Sequence, residues 1–131
     1  MAESYAARLL QMLRALTETL QILQDVLRQL PIPIEIIPLG DNHQELLAKL
    51  DRTRELIQDL PLGEATKVQL DQGILTTMIA VEQLRQFIET EGEEEWREDA
   101  FYLMALLATA NAHLVSRFLK NEEQTQEGQE E

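Results

Sequence analysis

The sequence predicts an all-α, single-domain, antiparallel up-down-up-down four-helix bundle with an extended apolar connection between its first two helices. Two observations support this prediction. Apolar residues recur at alternating steps of four and three along four long segments, which is the spacing of helix faces that pack on one another. Short stretches with proline or glycine separate the segments, and short connections make sequential helices antiparallel neighbours. A chain of 131 residues with 44% hydrophobic content is large enough for one packed domain.

The bundle is predicted to occupy residues 1–120, with helices at about 4–30, 41–60, 64–91 and 94–120. Pro31, Pro61 and Gly92 interrupt the helical pattern between these segments. Residues 121–131 contain no apolar side chain, so we expect a disordered acidic tail that is dispensable for folding.

The first three predicted helices each have one apolar seam. Seven leucines mark the first seam: Leu9, Leu13, Leu16, Leu20, Leu23, Leu27 and Leu30. The second seam consists of Leu46, Leu50, Thr53, Ile57 and Leu60, and the third of Leu70, Ile74, Thr77, Val81, Leu84 and Ile88. Such heptad spacing specifies packing like that of a coiled coil. Asp41 is the predicted N-cap of the second helix, with Gln44 three residues later in a capping-box position.

The fourth predicted helix is apolar around most of its circumference. Residues 100–119 hold one charged side chain, Arg117, and their predicted seam is Met104, Leu107, Asn111, Leu114 and Phe118. The narrow remaining face carries Ala105, Thr109, Ala112 and Ser116. A helix with so wide an apolar arc is expected to be buried by neighbours on several sides. It is therefore the predicted centre of the bundle, and its polar residues favour a core helix over a membrane span.

Residues 31–40 form an apolar stretch that cannot be helical, because three of the ten are proline. One interpretation is that this arm covers the turns that the shorter second helix leaves bare. The other is that Ile32, Ile34 and Ile36 form an extended edge that pairs with a second chain or a protein partner. Both interpretations are consistent with the sequence.

The net charge of −13 is concentrated towards the end of the chain. Residues 1–88 carry −4 and residues 89–131 carry −9. Such a balance excludes nucleic acid as a partner, because phosphate binding requires a basic face. Glu94, Glu95 and Glu98 lie at the start of the fourth helix, where they are candidate contacts for a basic protein. The helix dipole also favours acids in a first helical turn, and we prefer this explanation of the acidic cluster over a metal site.

Chemistry-bearing motifs are missing from the sequence. The chain has no cysteine, and its two histidines, His43 and His113, are predicted to lie about 30 Å apart along the bundle. The two serines, Ser4 and Ser116, lack a nucleophile-elbow context. We therefore predict a protein that is not an enzyme and that uses no metal or cofactor.

Two polar residues lie at mid-seam positions of the third and fourth helices. Thr77 on the third helix and Asn111 on the fourth are predicted at similar depths. The hypothesis is that Asn111 hydrogen-bonds across the core to Thr77 or to another helix, and so fixes the register of the bundle. The alternative is that Asn111 lines a surface groove.

Three classes of function remain open. The first is a non-catalytic interaction or scaffolding bundle that self-associates, with a protein partner or a second copy of the chain. The second is an acidic inhibitor or chaperone that binds a basic protein through residues 89–99 and the tail, with steep salt dependence. The third is a small-ligand binder or enzyme with a core pocket near Asn111 and His113. A cytoplasmic location is expected, since no signal peptide opens the chain and cysteine is absent.

Overall fold

The computed structural model describes residues 4–37 and 42–130, with side chains described as far as residue 124. Within these residues the secondary structure is four helices and no strand: α1 (Tyr5–Arg28), α2 (His43–Gln58), α3 (Glu64–Glu89) and α4 (Trp96–Glu130). The helices pack together, so the predicted all-α four-helix bundle is confirmed.

Side-chain caps define the first two helices. The backbone N–H of Ala7 donates to the Ser4 hydroxyl at 3.2 Å, and that of Glu45 donates to the Asn42 side chain at 2.9 Å. Each bond satisfies one of the N–H groups that a helix start leaves without an intrahelical partner. Asn42 therefore takes the N-cap role that the sequence had suggested for Asp41, which lies outside the described residues.

The central helix is α3, which contacts each of the other three. Its buried residues extend along its whole length: Thr66, Leu70, Gly73, Ile74, Thr77, Ala80, Val81, Leu84 and Phe87. The prediction that α4 is the centre of the bundle was wrong. A helix that is apolar nearly all round satisfies the pattern for burial, but here only one side of α4 is covered.

Helices α1 and α4 run in the same direction. Arg8, near the start of α1, pairs with Glu98 near the start of α4 at 3.2 Å. Gln29, which caps the end of α1, accepts a hydrogen bond from the Ser116 hydroxyl at 3.0 Å, further along α4. Helix α3 runs the opposite way, since Tyr5 packs on Phe87 near its end, with 5.6 Å between ring centroids.

Helix α2 also runs antiparallel to α3 and therefore parallel to α1. Arg54 donates to Asp71 across the α2–α3 pair at 2.8 Å, and Lys67 donates to the Gln58 carbonyl at 2.9 Å. Helices α1, α2 and α4 thus run in one direction and α3 in the other. This order differs from the predicted up-down-up-down arrangement at the first connection. Among the described residues, no Cα atom of α1 lies within 8 Å of one in α2.

The physical reason why α1 and α2 are parallel is the apolar arm between them, which turns back along α1 after Pro31. The side-chain amide of Gln24, fully buried, accepts the N–H of Ile36 at 2.7 Å and of Ile37 at 2.9 Å, and donates to the Ile34 carbonyl at 3.0 Å. On its other side the arm meets α2, where Lys49 donates to the Ile36 carbonyl at 3.2 Å.

The arm packs on its own bundle. Ile36 is fully buried and Ile34 is half-buried, while Ile32 remains 62% exposed. Because Gln24 already occupies polar backbone groups of residues 34, 36 and 37, those groups are not available for pairing with a partner strand. Of the three isoleucines proposed as a partner surface, Ile32 alone is exposed.

Helix α4 continues far beyond the predicted end at residue 120. It is helical to Glu130, so the prediction of a disordered tail from Asn121 was wrong. Glutamate and glutamine are good helix formers, and they propagate a helix that the bundle has already nucleated. The Glu122 carboxylate accepts the backbone N–H of Gly63 at 2.7 Å and the Thr66 hydroxyl at 2.9 Å.

Candidate functional site

Helix α4 has two apolar seams, and the inner one packs in the bundle. Its residues follow steps of four and three and are all buried: Phe101, Ala105, Ala108, Ala112, Val115 and Leu119. The predicted seam, which included Leu107 and Leu114, was wrong, because both side chains are about 40% exposed (41% and 39%). The face that the sequence had suggested as the uncovered one, with Ala105 and Ala112, lies in the core.

Small side chains explain why this face is the buried one. A Cβ atom placed on Gly73 of α3 would lie 3.3 Å from the Cβ of Asn111 on α4. The two backbones thus approach closely where glycine faces the alanine-rich side of α4. Close approach gives denser packing than a leucine-rich side would allow. The bulky leucines are consequently left on the outside of the bundle.

The outer seam of α4 has the same spacing as the inner one. It consists of Trp96, Ala100, Leu103, Leu107, Ala110 and Leu114. Trp96 and Leu103 are each 53% exposed, and Leu106, which flanks the seam, is 66% exposed. A single exposed leucine is ordinary on a protein surface, but a continuous heptad seam of them marks a site for another helix.

Helix α3 extends this surface on one side. The pairing of Arg97 with Gln83 and the close approach of Asn111 to Gly73 place Ile79 level with Leu103. Ile79 and Leu75, one turn away, are both 38% exposed. We name the combined surface the outer face: Leu75, Ile79, Trp96, Leu103, Leu106, Leu107 and Leu114. These side chains expose on the order of 700 Å² together, at or above the largest patch of a typical monomer.

The outer face is largely free of charge in a strongly acidic protein, except at Trp96, where the Arg97 guanidinium lies 3.8 Å from the ring centroid. Along α4 no charged residue occurs between Asp99 and Arg117. On α3, Asp71 and Glu82 lie one turn from Leu75 and Ile79, and each is paired with an arginine of the same chain. A largely uncharged apolar area of this size favours contact with another apolar surface.

The candidate acidic residues are largely engaged within the chain. Glu98 pairs with Arg8, and Glu94 accepts from Arg97 at 2.7 Å, while Glu95 is exposed. The Arg97 guanidinium also stacks over the Trp96 ring, 3.8 Å from its centroid. Two of the three carboxylates are thus already neutralised, which weakens this end of the bundle as a binding site for a basic protein.

Thr77 and Asn111, the polar residues of the third and fourth predicted seams, do not pair with each other as proposed. Thr77 is fully buried, and its hydroxyl donates to the Gly73 carbonyl on its own helix at 2.7 Å. Threonine commonly bonds the carbonyl four residues earlier, which satisfies the group without a partner across the core. Asn111 is half-buried and packs against Gly73 through its Cβ, so its position allows close approach of α3 and α4.

A cleft with a volume of about 470 Å³ lies elsewhere in the bundle, where α2 begins between α1 and α3. Its floor is apolar and includes Leu16, Leu46 and Leu84, with His43 and Arg85 among the lining residues. Arg85 pairs with Glu82 and Glu89, and its hydrogen bond lowers the pKa of Glu82 to about 2. This cleft is not the core pocket proposed near Asn111 and His113, because neither residue lines it.

Within the described residues, no group of three or more histidines, aspartates and glutamates could hold a metal ion. In the same part of the chain, no helix is long and apolar enough to cross a membrane.

No family model, no curated protein and no solved structure matches this chain.

The outer face is the feature that sequence reasoning missed. The signal was present, because residues 96–114 carry two interleaved heptads instead of one. Only one of them can face the bundle, and helical periodicity does not say which.

Proposed function

We propose that this chain is a non-catalytic protein-interaction bundle that self-associates through its outer face. The observation that carries the proposal is the second, exposed heptad seam of α4, with Leu103 and Leu107 at its middle. A helix that already packs in a bundle through one seam needs no second seam for its own fold. The proposed role of the second seam is to pack against another helix.

The size of the outer face supports a stable contact. Two copies would each contribute on the order of 700 Å² of exposed side chain, close to the about 800 Å² per partner of a standard interface. Adjacent surface that becomes covered, including Gln72 and Gln83 of α3, would add to this area.

The charge distribution favours a second copy as the partner. Two molecules with a net charge of −13 repel one another, so a surface that meets itself must be free of acids. The outer face meets this requirement, whereas Glu89, Glu91 and Glu93–Glu95 surround the turn at the start of α4.

A reducing compartment such as the cytoplasm suits a chain without cysteine, and it is the location we propose.

The test is light scattering on the full chain, with and without an intact outer face. We expect the measured mass to reach twice that of the chain as the protein concentration is raised to about 1 mM. The double variant Leu103→Gln with Leu107→Gln should be a monomer with an unchanged helical circular-dichroism signal, because both side chains are exposed. A matched control is Leu10→Gln with Leu13→Gln on α1, whose side chains are exposed to a similar degree (49% and 43%) and which should remain dimeric.

Two results would overturn the proposal. One is a wild-type chain that is a monomer throughout this range. The other is an α1 control that becomes monomeric while the α4 variant stays a dimer. The competing function, binding of a basic protein by residues 89–99, predicts instead that Glu95→Gln weakens binding of a polylysine probe as steeply as added salt does.

A further inference from the structure

We propose that two copies join through their outer faces in an antiparallel, two-fold symmetric arrangement in which Asp99 of each copy faces Lys120 and Arg117 of the other. This inference rests on the proposed self-association and adds the orientation of the partner. It follows from the two ends of the outer seam, which carry charges of opposite sign.

The charges at the ends of the seam decide between the two orientations. Asp99 flanks the outer seam at the start of α4, and Arg117 and Lys120 flank it beyond Leu114. A parallel pair would place Asp99 against Asp99 of the second copy and Lys120 against Lys120. An antiparallel pair places acid against base at both ends, which lowers the electrostatic free energy of the complex.

These three side chains are free to make such contacts. All three are exposed, and in the part of the chain that the structure describes none of them forms an ion pair with another residue of the same chain. The first acid beyond Lys120, Glu122, is directed towards Gly63 at the start of α3. The start of α4 in the second copy therefore meets Arg117 and Lys120 and is not opposed by Glu122.

The spacing of the seam and the charge pairs at its ends together determine the register. A heptad seam has two kinds of position, one at the start and one at the end of each three-residue step. In an antiparallel pair of seams, a residue at one kind of position faces a residue at the other kind in the second helix. This places Leu103 opposite Leu114 of the second copy, and Leu107 opposite Ala110, with the symmetry axis between them. The two outer layers each hold a pair of leucines, Leu103 and Leu114, and the two central layers each hold the smaller pair of Leu107 and Ala110. Together these pairs fill the interface evenly.

The first experiment exchanges the charges and measures the dimer dissociation constant at low ionic strength. We expect Asp99→Lys and Lys120→Glu each to raise the Kd about tenfold, because each creates two like-charged contacts in the symmetric dimer. The double variant Asp99→Lys with Lys120→Glu should return the Kd to within about twofold of wild type. Glu18→Lys on α1, which changes the net charge by the same amount as Asp99→Lys, is the control and should not weaken the dimer.

A second experiment uses the absence of cysteine in the sequence. An oxidised mixture of Leu103→Cys and Leu114→Cys chains should form the mixed disulfide, because those positions face one another. Leu103→Cys alone should not form a disulfide dimer, since its two copies lie about 16 Å apart along the seam.

The outcomes separate the two proposals. A monomeric wild-type chain overturns both. A wild-type dimer in which the single charge variants bind normally and Leu103→Cys crosslinks to itself retains the self-association and overturns the antiparallel arrangement. A dimer that responds to neither the charge variants nor the cysteine pair also overturns it, because α4 would then not be the contact.

Discussion

The carboxylate of Glu122 on α4 accepts the backbone N–H of Gly63, the residue that precedes α3, at 2.7 Å. Gly63 is the N-cap residue of α3 and has no side chain to accept a hydrogen bond. Glu122 instead accepts the N–H of the N-cap residue, as the glutamate of a capping box does, but from a distant helix. The same carboxylate accepts the Thr66 hydroxyl, and its negative charge lies at the positive end of the α3 dipole. The end of α4 is therefore part of the fold.

We expect Glu122→Ala to lower the free energy of unfolding by about 1 kcal/mol, the usual effect of losing a helix cap. Glu123→Ala, one residue later and exposed, is the control and should have almost no effect. Truncation offers a second comparison, since a chain ending after Lys120 should melt at a lower temperature than one ending after Gln124. Equal melting temperatures for the two truncations would show that the Glu122 contact contributes nothing.

Gln24 holds the arm to α1, and its replacement should detach the arm. Gln24→Leu leaves two N–H groups and one carbonyl of residues 34–37 without their partner, at a cost of about 2–4 kcal/mol. The measurement is urea denaturation, together with hydrogen exchange of the Ile36 amide, which should lose its protection. The exposed Gln21, three residues earlier, provides a control, and Gln21→Leu should change stability by less than about 0.5 kcal/mol.

The turn between α3 and α4 contains two residues with positive φ, and their substitutions should act in opposite directions. Gly92 has a φ of 81°, and a Cβ there would lie 2.8 Å from Cδ2 of Tyr5, so Gly92→Ala should destabilise the fold by about 1–3 kcal/mol. Glu91 has a φ of 53° without being glycine. Glu91→Gly should therefore stabilise it by about 0.5 kcal/mol.

Thermal unfolding of both variants measures the pair. Gly92 donates its N–H to the Phe87 carbonyl at 2.9 Å, so the geometry of this turn is fixed by the end of α3. A Gly92→Ala protein as stable as wild type would contradict the steric argument.

Glu82 should make the stability of the bundle depend on acid. Its hydrogen bond with Arg85 holds the pKa of Glu82 at about 2, below the ordinary value of 4.5. A carboxyl whose pKa is depressed on folding stabilises the folded state above its unfolded pKa. That stabilisation is lost as the pH falls from about 4.5 towards about 2.

The measurement is the melting temperature of wild type and Glu82→Gln between pH 7 and pH 2. The variant should melt at a lower temperature at pH 7, and the difference should vanish near pH 2. Glu55→Gln, an exposed position on α2, should show no such convergence. A difference between wild type and Glu82→Gln that stays constant with pH would contradict the prediction.

Much of the fold could be predicted because amphipathic helices reveal their buried side. All five residues of the predicted α2 seam, from Leu46 to Leu60, are buried, and so are Leu20, Leu23 and Leu27 of α1. Ile88, the last residue of the predicted α3 seam, is 42% exposed, because it lies at the open end of the cleft beside α2. Heptad spacing identifies a face, but it does not say how far the neighbouring helices extend along it.

Two features could not be read from local pattern. The first is the orientation of α4, where Leu107 and Ala108 both belong to complete heptads, and the choice depends on how closely two backbones can approach. The second is the path of the arm, where the role of Gln24 required knowledge of a contact ten to thirteen residues away. The outer face, and with it the candidate site, follows only once the orientation of α4 is known.

The return of the arm along α1 also bears on the order in which the chain folds. Helices α2, α3 and α4 are joined by short turns and can pair while contacts remain local, whereas Arg8 reaches Glu98 across 90 positions in the chain. Long loops close slowly because of their entropy, so we expect α1 to dock last onto a preformed three-helix intermediate. The bonds between Gln24 and the arm span only ten to thirteen residues, so they can form within this segment before α1 docks. The docking of α1 with its arm is then the slow phase of assembly.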